Sequence, residues 1–213
     1  MKLAVLGDSI TAGFNSDDRA TEAWPVILAA SLGYDLFVDA IPGTGYLSLA
    51  GGYSSRTAYI LAASPDIVIV QSSWNDLNAD IGDLAAAVAA VLSDLSSIEH
   101  VYVTSPPNGA DLPAPYISPS RVLPLSDIIA PIVATYGRAY VDLQSPLLFT
   151  GSGYIGHEQY DGNCDTFISS DGGHPSTACH ACLAARLLVA LTPPAVLTLP
   201  VRHVTHATLV PLL

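Results

Sequence analysis

The chain has 213 residues, half of them hydrophobic, which is enough for one domain with a sizeable core. Nineteen acidic against seven basic residues give a formal net charge of −12, which argues against binding to nucleic acid or to an anionic membrane surface. No apolar stretch approaches the roughly 20 residues that are needed to span a bilayer.

Short apolar runs and helical patterns alternate along the chain. The runs are rich in β-branched residues and predict five buried strands, at residues 3–6, 35–38, 67–71, 100–104 and 139–143. Helical patterns cover residues 22–31, 56–63, 81–95, 125–136 and 176–191. This alternation predicts an α/β fold, a three-layer sandwich in which a five-stranded parallel sheet carries helices on both faces. A flavodoxin-like strand order, 2-1-3-4-5, would place the first three strands side by side.

The predicted domain covers residues 1–191 and leaves a C-terminal tail at residues 192–213. Three alternatives remain open for this tail: an extra strand pair, a segment that docks the protein into a larger assembly, or the start of another domain. Residues 144–170 show little periodicity and predict a long loop that shapes a pocket. The first strand follows Met1 and Lys2 directly and leaves no room for a signal peptide. The localisation therefore stays open between the cytoplasm, a processed secreted form and a virus particle.

The three cysteines, Cys164, Cys179 and Cys182, cannot all pair within one chain. This odd number argues against a disulfide scaffold. The segment Cys179-His180-Ala181-Cys182 is similar to a redox or zinc motif, but no second pair of cysteines accompanies it. The sequence therefore favours buried, reduced thiols and predicts no metal and no cofactor.

Four short polar segments adjoin the predicted elements. They are Gly7-Asp8-Ser9 after the first strand, Pro42-Gly43-Thr44-Gly45 after the second, Ser73-Trp74-Asn75-Asp76 after the third, and Asp171-Gly172-Gly173-His174 before the last helix. Ligands of open parallel sheets bind beyond the carboxyl ends of the strands, so these segments are expected to meet there. A serine nucleophile needs an imidazole to take its proton and a carboxylate to orient that imidazole. The four segments supply all three groups.

In this order, the four segments resemble the motif blocks of the SGNH hydrolases, also called GDSL esterases and lipases. Ser73 is a departure, because the family usually has glycine there. The resemblance implies the strand order 2-1-3-4-5 and a catalytic triad. In that triad Ser9 is the nucleophile, His174 the general base and Asp171 the residue that orients the imidazole.

The same resemblance implies three hydrogen-bond donors to the oxyanion of the reaction. They are the backbone N–H groups of Ser9 and Gly43 and the side-chain amide of Asn75. Gly45 is the alternative to Gly43, because the second segment can be aligned with the family block in two ways.

Gly45, Tyr46, Trp74 and His157 are candidate pocket residues, although Tyr46 and Trp74 fit the core as well as a pocket. Each motif also has a purely structural interpretation. Asp8-Ser9 and Asn75-Asp76 could cap helices or turns, and His174-Pro175-Ser176 could simply begin a helix. Arg56 is expected to form a salt bridge.

The expected function is hydrolysis of carboxylic esters, namely short acyl esters or the acetyl esters of carbohydrates. The G-x-S-x-G motif is absent, which disfavours a classical α/β-hydrolase. The alternative function is a non-catalytic carbohydrate-binding or assembly module on the same fold. The complete set of Ser9, Asn75, Asp171 and His174 counts against that alternative, since a binding module needs neither a nucleophile nor a base.

Overall fold

The computed structural model describes residues 1–47, 52–107, 119–143 and 174–192, with side chains from residue 125 onward in the third segment. The described residues contain five strands: β1 (Lys2–Gly7), β2 (Asp35–Ala40), β3 (Ile67–Gln71), β4 (His100–Thr104) and β5 (Ala139–Val141). They form one sheet, parallel throughout, in the order β2-β1-β3-β4-β5. The predicted sheet and its strand order are confirmed. The prediction that all five strands are buried is wrong for β2, which lies at the edge of the sheet and contains no buried residue.

Six α-helices lie in the described part of the chain: α1 (Arg19–Glu22), α2 (Trp24–Leu32), α3 (Thr57–Ala62), α4 (Ile81–Asp94), α5 (Pro119–Thr135) and α6 (Thr177–Leu191). Single 3₁₀ turns cover Tyr53–Arg56, Trp74–Asp76 and Leu95–Ser97. The helix α5 begins six residues before the predicted start at residue 125 and runs through Pro124. Proline disfavours helix interiors, so the sequence gives no helical signal there. No helix of the described segments is long and apolar enough to cross a membrane.

The helices cover both faces of the sheet because successive side chains of a strand point to opposite sides. One core cluster joins Leu3 and Val5 of β1 to buried residues of α2 and α6. A second cluster joins Ala4 and Leu6 of the same strand to buried residues of α4 and α5. The central strands β1 and β3 are therefore buried on both faces, as their unbroken apolar sequences predict. The predicted three-layer sandwich is confirmed.

The cysteines of α6 differ from the sequence prediction in one respect. Cys182 is disulfide-bonded, so the prediction of a reduced thiol is wrong at this position. Cys179 is a free thiol, buried in the core, and its burial raises the pKa of that thiol. An odd number of cysteines excludes complete pairing but leaves one bridge possible. Cys164, the predicted loop at residues 144–170 and the tail from residue 193 onward lie outside the described residues.

Candidate active site

Ser9 and His174 come together at the carboxyl end of β1. Ser9 lies in the turn after β1 and is only 8% exposed. His174 lies three residues before α6 and is half-buried. The atom His174 Nε2 is 2.9 Å from Ser9 Oγ, although the two residues are 165 positions apart in the sequence. This is the distance at which an imidazole can accept the proton of a serine hydroxyl.

The loop between β1 and α1 is attached to the start of α6. The Phe14 N–H donates to the Ser9 carbonyl at 3.0 Å, and the Phe14 ring lies with its centroid 5.4 Å from that of His174. The Asp17 N–H donates to Thr177 Oγ1 at 2.9 Å. These contacts connect the loop after β1 to the residues at the start of α6. The Ser9–His174 distance is therefore fixed by backbone hydrogen bonds and ring packing as well as by the hydrogen bond between the two side chains.

His180 also supports this loop, a role that the sequence did not predict. The Trp24 N–H donates to His180 Nδ1 at 3.4 Å, which leaves the ring hydrogen on Nε2, 3.2 Å from the Phe14 carbonyl. Burial lowers the pKa of His180, although the hydrogen bond to Phe14 opposes this shift. His180 is therefore a neutral core histidine that fixes the loop behind His174. Its place six residues after His174, in the first turns of the helix that follows, was the only signal in the sequence.

Asp8 is a buried carboxyl group beside the serine. Its Oδ1 accepts from the Ile10 N–H at 2.8 Å and from Gln71 Nε2 at 3.3 Å, and its Oδ2 accepts from Ser73 Oγ at 2.6 Å. The pKa of Asp8 is raised, because the effect of burial outweighs the hydrogen bonds from Ser73 and from nearby backbone N–H groups, which lower it. Because its neighbours supply hydrogen-bond donors, Asp8 fits this site as a carboxylate. Its bond to Ile10 matches the capping interpretation of Asp8 without excluding a catalytic role for Ser9.

Gly43 and Gly45 occupy different environments in the loop after β2. Gly43 has a φ of +76°, a conformation that favours glycine, and it is half-buried. Gly45 packs directly on Asp76, whose carboxylate accepts from the N–H groups of Tyr46 at 2.7 Å and Leu47 at 3.0 Å. The Asp76 carboxylate therefore fixes the position of this loop. Gly45 allows the carboxylate to approach because it has no side chain.

Replacing Gly45 with alanine is expected to lower the free energy of unfolding by about 1–3 kcal/mol. A Cβ atom at this position would clash with Asp76 Oδ2 and lie 2.7 Å from Asp76 Cγ, and the carboxylate is held by hydrogen bonds from two backbone N–H groups. Urea unfolding measures the change. The matched control is Gly82→Ala, whose Cβ would have only Asp80 Oδ1 within 4 Å, at 3.2 Å. Equal stability of the two variants would contradict this account of Gly45.

Asn75 lies next to the loop after β2, with its side chain directed at that loop. Asn75 Nδ2 donates to the Thr44 carbonyl at 2.8 Å and to Ser73 Oγ at 2.9 Å. A carbonyl oxygen can only accept, so the contact with Thr44 fixes which side of the amide is the nitrogen. Within the described residues, the backbone N–H groups of Ser9 and Gly43 have no protein acceptor. All three predicted oxyanion donors thus belong to loops that follow neighbouring strands.

Arg56 ties these loops to the sheet. Its guanidinium forms a salt bridge with Asp39 of β2 at 2.7 Å, which confirms the predicted salt bridge. Nη1 of the same side chain donates to the Gly7 carbonyl at 3.2 Å and to Thr44 Oγ1 at 3.0 Å. One buried cation therefore joins the chain just before Asp8 to the chain just after Gly43. The sequence predicted the ion pair but not the hydrogen bonds of Arg56 to Gly7 and Thr44.

Two of the remaining predicted site residues are buried in the core, and two others lie outside the described residues. Trp74 packs in the core cluster of α2 and α6, and its Nε1 donates to the Pro107 carbonyl. Tyr46 is buried in the other cluster, with its ring centroid 5.1 Å from that of Tyr53. Both positions favour the core alternative. Asp171 and His157 lie outside the described residues. Among the residues that are described, no group of three His, Cys, Asp or Glu side chains could hold a metal ion.

Comparison with known proteins identifies the family. The model of the GDSL-like Lipase/Acylhydrolase family matches residues 5–182. A search of curated protein sequences gives no match. The fold resembles that of the lipase/acylhydrolase from Enterococcus faecalis, with a TM-score of 0.69 and 22% identity over 88% of this chain and 94% of that one.

Two carbohydrate-directed enzymes have a similar fold. An acetyl xylan esterase aligns with a TM-score of 0.69 and 18% identity, covering 90% of this chain and 100% of the other. A family two carbohydrate esterase from Clostridium thermocellum aligns with a TM-score of 0.64 and 15% identity, over 89% and 62% of the two chains. At these identities the structural likeness concerns the fold. The family match, in contrast, spans the described segments that carry Ser9, Gly43, Asn75 and His174, and the chain therefore belongs to the GDSL-like lipase/acylhydrolase family of ester hydrolases.

Proposed function

We propose that this enzyme hydrolyses carboxylic esters through an acyl-serine intermediate on Ser9. The observation that carries the proposal is the 2.9 Å contact between His174 Nε2 and Ser9 Oγ. Ser9 Oγ attacks the ester carbonyl carbon while its proton passes to His174 Nε2. The tetrahedral intermediate collapses, the bond to the leaving alcohol breaks, and His174 returns the proton to that alcohol. Water then attacks the acyl-serine while His174 accepts its proton. The bond between the acyl carbon and Ser9 Oγ breaks, His174 returns the proton to Oγ, and the acid is released.

Asp171 completes the mechanism by orienting His174. Its carboxylate would accept a hydrogen bond from Nδ1, hold the imidazole in the tautomer that leaves Nε2 unprotonated, and stabilise the imidazolium. The family resemblance and the separation of Asp171 from His174 by only Gly172 and Gly173 support this role. Glycine tolerates the backbone conformations of a tight turn, which the approach of the two side chains requires.

The oxyanion would be stabilised by the N–H groups of Ser9 and Gly43 and by the Asn75 amide. Two backbone N–H groups on adjacent loops, which have no protein acceptor among the described residues, support the proposal. Gly43 is preferred to Gly45 because Gly45 already has a structural reason to be glycine, the close approach of Asp76. In this arrangement both hydrogens of Asn75 Nδ2 face protein acceptors, so the amide would share one of them with the oxyanion.

The substrates we propose are short acyl esters, with carbohydrate acetyl esters as the favoured class. The folds of an acetyl xylan esterase and of a carbohydrate esterase are similar to this one, which supports that class without deciding it. The charge of the protein adds a physical argument. A formal net charge of −12 repels polyanionic substrates and does not disfavour neutral sugars.

Hydrolysis of p-nitrophenyl acetate, butyrate and octanoate, together with acetate release from acetylated xylan, tests this proposal. We expect kcat/KM to decrease from acetate to octanoate and acetylated xylan to release acetate. A preference for octanoate would contradict the short-acyl assignment. Absence of turnover on every ester would contradict the hydrolase mechanism and favour the non-catalytic binding module.

A further inference from the structure

We propose that Ser73 is a positioning residue, which holds the Asn75 amide in place for the oxyanion and connects it to the buried Asp8 carboxylate. This inference rests on the proposed function. Ser73 is also where the chain departs from the glycine that its family usually has.

The backbone at Ser73 does not require glycine. Its φ of −107° and ψ of 144° are extended values that any residue adopts. The side chain is 1% exposed and caps the 3₁₀ turn Trp74–Asp76, where its Oγ accepts from the Asn75 N–H at 3.0 Å. The position thus holds a buried hydroxyl on an ordinary extended backbone.

Hydrogen-bond counting assigns a direction to each contact of this hydroxyl. Ser73 Oγ lies near two donors of Asn75, its N–H at 3.0 Å and its Nδ2 at 2.9 Å, and these fill the two lone pairs of the oxygen. Two acceptors compete for the single hydroxyl hydrogen, Asp8 Oδ2 at 2.6 Å and the Thr44 carbonyl at 2.9 Å. The carboxylate is charged and closer, so it takes the hydrogen. The Thr44 carbonyl keeps its bond from Asn75 Nδ2 at 2.8 Å.

The consequence is a continuous chain of donors from Asn75 to Asp8. Donation from Ser73 to a buried carboxylate polarises the hydroxyl and strengthens it as an acceptor for Asn75. Asn75 is itself exposed, so without Ser73 its amide would exchange that partner for mobile water. The network also joins the three loops of the site, since Asp8 precedes Ser9 and Thr44 follows Gly43. Ser73 therefore acts on the reaction through Asn75 and does not touch the substrate.

The variant Ser73→Gly tests this role, because glycine is nearly as good as serine in a capping position and fits the extended backbone of this residue. We expect kcat for p-nitrophenyl acetate to decrease about tenfold with KM unchanged, a smaller loss than the roughly 10²-fold or more expected for removing the donor itself in Asn75→Ala. In the Asn75→Ala background, Ser73→Gly is expected to cause no further decrease in kcat. The control is Asp80→Gly, which removes the side-chain cap of α4 and should leave kcat unchanged.

An unchanged kcat in Ser73→Gly would overturn the positioning role, as would losses that multiply in the double variant. A kcat that is unaffected by Asn75→Ala would overturn it as well, while the acyl-serine mechanism would survive if turnover still required Ser9. Turnover that does not require Ser9 would reject the proposed function and this inference together. The measurements on Ser9 and on Asn75 thus separate the two failures.

Discussion

Replacing Ser9 with alanine is expected to lower kcat for ester hydrolysis by about 10⁴-fold or more. Alanine removes the only atom that the mechanism uses to form the covalent bond, and His174 is then left without a nucleophile to activate. The fold should persist, because the backbone bond from Phe14 to the Ser9 carbonyl is unaffected. Rates of p-nitrophenyl acetate hydrolysis at high enzyme concentration measure the residual turnover.

Two companion variants make this result specific. Ser31→Ala removes an exposed hydroxyl that bonds within α2, to the Ile27 carbonyl, and should keep full activity. His174→Ala should lose nearly as much activity as Ser9→Ala. The double variant should be no slower than the slower single variant, because residues that act as a unit are strongly non-additive. Independent, multiplying losses would show that the two side chains do not act together.

The variant Arg56→Met is expected to lower the free energy of unfolding by about 3 kcal/mol. Methionine keeps much of the apolar stem but leaves the largely buried Asp39 carboxylate without its partner. It also removes the donors to the Gly7 carbonyl and to Thr44 Oγ1. Urea unfolding followed by circular dichroism measures the change as a lower midpoint with an unchanged slope.

Arg138→Met is the matched control for that measurement. Arg138 donates to the Glu99 and Ser96 carbonyls at the exposed surface, so its loss should change the free energy of unfolding by about 0.5 kcal/mol or less. Asp39→Asn in the Arg56→Met background should cost little more, since the carboxylate has already lost its cation. If Arg56→Met is no less stable than Arg138→Met, Arg56 does not hold the loops together.

The sheet could be predicted well from sequence because its signals are local. Each buried strand is a short apolar run, and β3 and β4 have the bounds that their residues predict. The start of α5 could not be predicted, because Pro124 is a residue that usually ends or excludes a helix and here lies inside one. The disulfide of Cys182 was missed for a different reason. A count of three cysteines cannot tell which of them the fold brings to a partner.

The candidate site was predictable at the level of motifs and not at the level of contacts. The resemblance of the four segments to the motif blocks of the family predicted that Ser9 would meet His174. The loops that position this pair are held by tertiary contacts that leave no pattern in the sequence. Examples are the hydrogen bond from Arg56 to Thr44 and the contact of His180 with the Phe14 carbonyl. Ser73 was visible as a departure from the family, but only the neighbouring Asp8 and Asn75 give its hydroxyl a role.

Labelling with a serine-reactive phosphonate, followed by intact-mass and peptide mass spectrometry, is the most direct test of the central claim that His174 activates Ser9 as a nucleophile. We expect one adduct per chain, located on Ser9, absent from Ser9→Ala and formed far more slowly in His174→Ala. An adduct on another residue, no adduct on the wild type, or labelling at the same rate without His174 would contradict it.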